Sequence, residues 1–574
     1  MKVKNNSWKN TTTLAYTKNR KGYAALRNGL QYNRDKHELS ISFNGRIGKS
    51  WNTEFGGTYF PTADQKWNSI YISTEDQIGG RLAYDYNLTD QNQIGVQYQG
   101  SKINPNVNGK TITNLNLINE NASVSFMNSG IDDRERNAHL ENVHMISNLD
   151  TTGKQLSFDA DYFIYQQKGN SIFDIEAFEE GNQSLGLSRS RTVISSQKIQ
   201  NYSIKADMQH PTKNINWNYG LKYSRNNSDN DIFNYDRITG ESILDPNLTN
   251  TFAYQEDISA AYISGAKQVS DRCNVKLGMR LESTSSVGYS ALLDQENRNG
   301  FSRLFPTAYF SYNQSKDHQY NLSIGGRVNR ASFRDLNPFR IYLTNTAYFE
   351  GNPFIQPSYT YTFNFNYVYK GKYTTTAYFN RQQNGFGTLF VPYPEDRVLA
   401  TLRDNFYNAN YFGIGEIFSL DISNRWSIQN QVYLMYNHTS TYNNYDALAQ
   451  NGFQYYLSNN HNITMGKGWN TQLNTWYNSS AKSNIFKVDS TWNVSIGIKN
   501  KLLNDKLQIS LNVNDIFNQS GLDRLSSEIN GVLNSYGQNY SSRSIRLTVS
   551  YNFGNEKIDV RSREFGNEET QRRS

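Results

Sequence analysis

The sequence predicts an all-β fold, a transmembrane antiparallel up-and-down β-barrel of about 22 strands. Three observations predict it. Apolar and polar residues alternate with a period of two along the whole chain. Short polar turns alternate in order with long connections. The third is compositional: 41 Tyr and 30 Phe accompany 39 Gly and only 10 Pro, yet no run approaches the roughly 18 to 20 apolar residues of a membrane helix.

The same composition excludes other classes. Aromatic residues at 14% are too many for a disordered chain, polar as it is. The single Cys273 can form neither an internal disulfide nor a cysteine-rich metal cluster. A net charge of +7, with Lys and Arg scattered among acids, argues against a nucleic-acid partner. Residues 1–10, MKVKNNSWKN, hold no apolar signal region. No Pro-rich, Ser-rich or charged linker divides the chain, so one architecture is expected: a stub at 1–10, the barrel at 11–553, and a charged tail at 554–574. The tail mixes Arg561, Arg563, Arg572 and Arg573 with Glu564, Glu568 and Glu569, cannot bury a core, and is expected to be disordered in the periplasm.

Each strand is read from its alternation, with one greasy face and one wet face. Leu82, Tyr84, Tyr86 and Leu88 mark an early strand, and Leu156, Phe158, Ala160, Tyr162 and Ile164 the next clear one. Val275, Leu277, Met279 and Leu281 oppose Asn274, Lys276, Gly278 and Arg280. Tyr361, Phe363, Phe365, Tyr367 and Tyr369 oppose mostly Thr and Asn. Leu507, Ile509, Leu511 and Val513 follow, and Ile545, Leu547, Val549, Tyr551 and Phe553 close the series.

Short turns fall near 34–37, 88–92, 150–154, 211–214, 269–272, 315–318, 370–372, 423–425, 466–468 and 502–506. Long connections rich in Asn, Asp, Ser and Gly, read as loops, include 49–78, 101–132, 228–250, 331–358, 385–407 and 516–541. An even strand number puts both termini on the short-turn, periplasmic side. Tyr369, Tyr373, Trp426, Trp469 and Phe553 sit beside these turns, where amphipathic rings suit a membrane girdle facing outer-membrane lipid. Good strand propensity is the other reason for rings there.

Arg330-Ala-Ser-Phe-Arg-Asp-Leu336-Asn337-Pro338-Phe339, then Gly351-Asn352-Pro353, resembles the mid-barrel signature of the outer-membrane β-barrel family related to TonB-dependent receptors of Bacteroidetes type. Lys276–Glu282, Asn512–Asn518 and Tyr551–Gly554 look like the same family, so the resemblance covers essentially the whole chain. Ala331 stands where such sequences often carry Pro, and Phe354 and Gln356 depart from the usual spacing. Such proteins usually carry a signal peptide and a plug before the barrel; here alternation starts within about a dozen residues of Met1, and barrel portion alone, without plug or signal peptide, is expected.

The resemblance implies a location in the cell outer membrane of a Gram-negative bacterium. It also implies import of a nutrient too large for porins, by loops and a plug on which TonB acts. The alternative is a plug-free passive pore, or a surface adhesin or scaffold barrel. Leu336, Asn337, Pro338 and Phe339 with Gly351, Asn352 and Pro353 read as a structural loop motif at a strand mouth. Tyr348, Phe349, Phe390 and Tyr393 are candidate ligand-stacking rings, unless they pack the loops together. Lys276, Arg280, Glu282, Arg327 and Arg546 are expected to face the lumen, where charge costs little. The seven His show no metal-ligand spacing, and His139 and His144 fall on opposite faces of one strand. Asp229, Asp231 and Asp236 lack the order of a calcium loop. No nucleophile elbow, phosphate loop or other catalytic motif is present, so neither an enzyme nor a cofactor is expected.

Overall fold

The computed structural model describes residues 7–118, 120, 122–180, 183–442, 445–555, 565, 571 and 573. Among them 22 antiparallel strands close into a barrel. The first wall strand, Ser7–Lys18, pairs with the last, Ser544–Gly554, with Leu14 opposite Val549. Closure leaves the wall without an open edge, which is what strands need in lipid, where backbone groups have no water to bond. Thr11 donates to Asn552 at 2.7 Å and Thr13 meets Ser550 at 2.9 Å on the inner side of this seam.

The alternation read from the sequence is the alternation of the wall. Leu277, Met279 and Leu281 stand outward, each more than half exposed, whereas Glu282 on the same strand is buried inward. Ile545 and Leu547 repeat this around Arg546. An apolar belt of this extent around the whole girth exceeds what a water-facing surface carries, and lipid is its natural cover.

The short turns lie where the sequence places them. His37–Phe60 follows Gly22–Arg34 after two residues, and Tyr373–Tyr393 follows Ser358–Tyr369 across Lys370, Gly371 and Lys372. The long connections differ from the sequence reading. His37–Phe60 and Ala63–Asn87 are strands of 24 and 25 residues, so 49–78 is a continuing hairpin with only Pro61 and Thr62 at its tip. The same holds for 101–132, within Asn92–Leu117 and Ala122–Asn148, and for 385–407, within Tyr373–Tyr393 and Val398–Ser423. At about 3.3 Å per residue such strands run about 80 Å, far beyond the roughly 30 Å hydrocarbon layer. The physical reason is that each backbone ladder continues while a neighbour is there to pair with. Above the membrane both faces can be wet, so apolar alternation is no longer required.

The barrel starts at Ser7, inside the expected stub; residues 1–6 lie outside the described residues. Above the two short N-terminal strands the wall is completed by a hairpin, Leu522–Ile529 and Val532–Asn539, from the expected loop 516–541. It pairs Leu533 with Tyr59 and Asn539 with Thr53, while Gly22–Arg34 reaches only Lys49 of that same strand. At this rim Leu389, Val391, Phe406, Tyr407, Ala447, Ile485 and Ile529 pack into one apolar core. Four connections are thereby tied into a single body.

Candidate functional site in the barrel lumen

One connection turns inward. After the wall strand His318–Asn329, the chain enters the lumen, makes a helical turn at Phe333–Leu336, a small ladder of Arg340–Thr344 with Ala347–Glu350, and returns at Ser358. Ser332 caps the turn, its hydroxyl accepting from the Asp335 amide at 3.2 Å. Leu336 and Phe339 bury themselves with Ile232, Phe252 and Ile355, and Phe333 reaches Leu140, Phe163 and Ile199 on the wall. Gly351 lies against the Asn337, Asp335 and Arg334 carbonyls, leaving no room for a Cβ. The Asn352 amide donates to Asp335 at 2.7 Å, and its side chain accepts from the Phe354 amide at 2.8 Å. The two halves of the loop motif therefore clamp each other; Pro338 and Pro353 stand beside the clamp.

Charge anchors this loop to the wall. Arg330 donates to Glu282 at 2.5 Å and to Thr284 at 3.0 Å, and Arg280 donates to the other Glu282 oxygen at 2.7 Å. Arg330 also lies 3.9 Å from Glu256 on the adjacent strand Asn250–Ser270. Tyr254 and Asn226 donate to the Glu256 carboxylate, each at 3.2 Å. Arg330, Glu282 and Glu256 are all more than nine-tenths buried. Charges so enclosed persist because each carboxylate is paired and hydrogen-bonded.

The C-terminal tail corrects the sequence reading at the positions described. Arg573 donates to Glu256 at 2.6 Å and to the Ala331 carbonyl at 2.9 Å, and its guanidinium lies 4.6 Å from the Phe333 ring centre. Phe565 is buried among Leu140, Phe163, Ile199 and Phe333, with Arg81 5.6 Å above its ring. These two residues are inside the barrel, not in the periplasm, because the lumen offers them a carboxylate and an apolar hollow. Most of 554–574 lies outside the described residues.

Of the expected lumen charges, Arg280 and Glu282 pair with each other, and Arg330 joins them at Glu282. Lys276 lies opposite Tyr309, Arg327 opposite Thr360 and Arg546 opposite Thr17, on three separate strand pairs. Tyr348 and Phe349 are buried under Arg340 and Arg334, at 4.3 Å and 4.9 Å from their ring centres. Burial pushes the Tyr348 phenol up to about 12. Ala347–Glu350 pairs in parallel with Val398–Ser423, so Phe349 and Phe390 flank the same residue, Thr401. Phe390 stacks edge-on with Phe486 at 6.0 Å. Tyr393 is the exposed member of the four.

A family model, the outer membrane protein beta-barrel family, matches residues 147–551, more than half of the chain. The chain belongs to that family. As an outer membrane barrel it presents its apolar belt to lipid. Its fold is similar to that of the siderophore receptor PiuA from Acinetobacter baumannii, at 11% identity and TM-score 0.61 over 96% of this chain and 82% of that one. The ferric yersiniabactin uptake receptor FyuA from Yersinia pestis gives 11% identity and TM-score 0.59 over 96% and 81%. The siderophore receptor PirA from Pseudomonas aeruginosa gives 11% and 0.56 over 96% and 81%. Among curated proteins none matches the sequence.

At the short-turn rim of this outer membrane barrel Tyr373, Trp426, Trp469 and Phe553 are exposed, with Tyr369 beside Tyr373 at 6.2 Å between ring centres. Histidines join them, a feature sequence reading missed. His37 meets the Tyr84 hydroxyl at 2.8 Å, His318 that of Tyr367 at 2.7 Å, and Trp426 donates to His461 at 3.0 Å. Glu256, Arg330, Phe565 and Arg573 were likewise missed as site residues. Glu256 carried one signal: an acid on the face that also presents Tyr254, Ile258 and Ala260.

Proposed function

We propose that this barrel is the translocation wall of an importer, taking up a nutrient too large for general porins in the manner of a TonB-dependent receptor. The observation that carries the reading is the inward connection 330–357, held by Arg330 on Glu282 inside a 22-strand wall. A barrel of that size encloses more space than its wall side chains fill. An anchored loop narrows this space and lines it with fixed charge, which suits selective passage. The rim core around Phe406 and Ile529 supports the same reading, since a preformed mouth binds with less ordering cost. PiuA, PirA and FyuA are described as receptors for siderophores or for ferric yersiniabactin, and a metal chelate of that kind is the substrate class we favour. In this reading TonB supplies the energy by acting on a plug.

Uptake of labelled ferric chelates is measured in a Gram-negative host stripped of its own receptors and expressing this chain, with and without TonB. Saturable uptake that disappears without TonB is expected. Uptake linear in concentration and indifferent to TonB supports the plug-free pore instead, and surface binding without uptake supports the adhesin.

A further inference from the structure

We propose that the lumen wall carries a binding site for an arginine-bearing peptide segment, and that its occupant is this chain's own C-terminal segment, seated through Phe565 and Arg573. The inference rests on the barrel fold and stands apart from the import reading. Two contacts of different chemistry define the site. The first is the Glu256 carboxylate, which accepts from Arg573 at 2.6 Å while the Ala331 carbonyl accepts from the same guanidinium at 2.9 Å. Both charged side chains are more than nine-tenths buried, so this pair is withdrawn from the screening that makes surface pairs weak. The second is the hollow of Leu140, Phe163 and Ile199, which Phe565 fills. Phe333 joins the two, packing with Phe565 and lying under the Arg573 guanidinium.

Geometry permits the path. The last wall strand ends at Gly554, and eleven residues of extended chain reach about 36 Å. Leu140 stands eight residues from the short-turn end of Ala122–Asn148, about 27 Å along that strand. Eight further residues separate Phe565 from Arg573, enough to climb to Glu256, which lies higher on its own strand. These lengths suffice for Phe565 and Arg573 to reach their places in the lumen from Gly554. An arginine reads this site better than a lysine, because its planar fork serves a carboxylate and a carbonyl together and stacks on a ring.

The test compares the full chain with a chain ending at Asn555 in planar bilayers, both first shown to be folded by heat-modifiable gel mobility. A synthetic peptide of residues 556–574 is then titrated onto the shortened barrel from the periplasmic face. A larger unitary conductance is expected for the shortened barrel, and loss of that gain when the peptide is added. The peptide carrying R573Q, used against the unaltered short barrel, needs about ten- to a hundredfold more to block, as does the parent peptide against an E256Q barrel. The F565A peptide also weakens. Equal conductance of the two chains with no block by the peptide overturns the proposal, and so does a block indifferent to both R573Q and F565A.

Discussion

His144 and Asp85 are joined by a 2.7 Å hydrogen bond across a strand to which neither belongs. Gly95 is the residue between them, paired with Asp85 on one side and His144 on the other. His144 continues to Asn142 at 2.7 Å, and Asn142 donates to Asp161 at 2.9 Å, so one polar chain joins three strands and passes over a fourth on the lumen face.

A methyl group at Gly95 overlaps both the Asp85 carboxylate and the His144 ring. Gly95→Ala is therefore expected to destabilise the barrel by about 1–3 kcal/mol, the cost of leaving buried polar groups unpaired. Gly325→Ala, with open space around its Cβ, is the control. Urea unfolding in detergent micelles measures both; equal midpoints for the two variants would remove the role given to the cross-strand bond.

Arg330→Met leaves Glu282 with Arg280 alone and takes the nearest guanidinium of the wall loop from Glu256. The loss is expected to be about 3 kcal/mol or more, as for a broken buried pair. Arg330→Met combined with Glu282→Met removes the isolated charge and is expected to recover part of that loss. A double variant as unstable as the sum of its parts contradicts the anchoring.

Phe349 and Tyr393 separate packing from recognition at the mouth. Phe349→Ala empties a buried site and is expected to cost about 3 kcal/mol, with faster proteolysis of the 330–357 connection. Tyr393→Ala touches an exposed ring and is expected to leave stability within about 0.5 kcal/mol. Reversed sensitivities in limited proteolysis would contradict the placement of these two rings.

Leu547 and Arg546 test the faces of the last wall strand. Leu547→Arg places a charge in lipid and is expected to cost about 2–4 kcal/mol near the bilayer midplane. Arg546→Leu, on the wet side, is expected to be near neutral. Refolding yields into vesicles report both, and a tolerated Leu547→Arg refutes the orientation of this strand.

The sequence made the wall legible because lipid imposes a rule that each strand must obey locally. Ile545, Leu547 and Val549 cannot take their outward places without Arg546 and Thr548 turning inward, so alternation alone places the faces. Turns such as Lys370-Gly371-Lys372 were legible for the same local reason. The extended hairpins were not, because Ser50–Phe60 in water needs no apolar face, and its Asn, Thr and Gly content matches that of a loop. The pairing that holds it runs from Ser50 with Ser73 to Phe60 with Ala63 and, at Val532–Asn539, comes from the far end of the chain.

By itself, then, the sequence determined that this protein is a wide outer-membrane barrel, which face of each strand meets lipid, and where its short turns lie. Tertiary structure alone decided what fills the lumen. Arg330 reaches Glu282 across 48 residues, and Arg573 reaches Glu256 across 317. Such pairs leave no periodic trace, because the lumen imposes no repeating pattern of its own. Water tolerates many side chains there, and only the folded path shows which carboxylate meets which guanidinium.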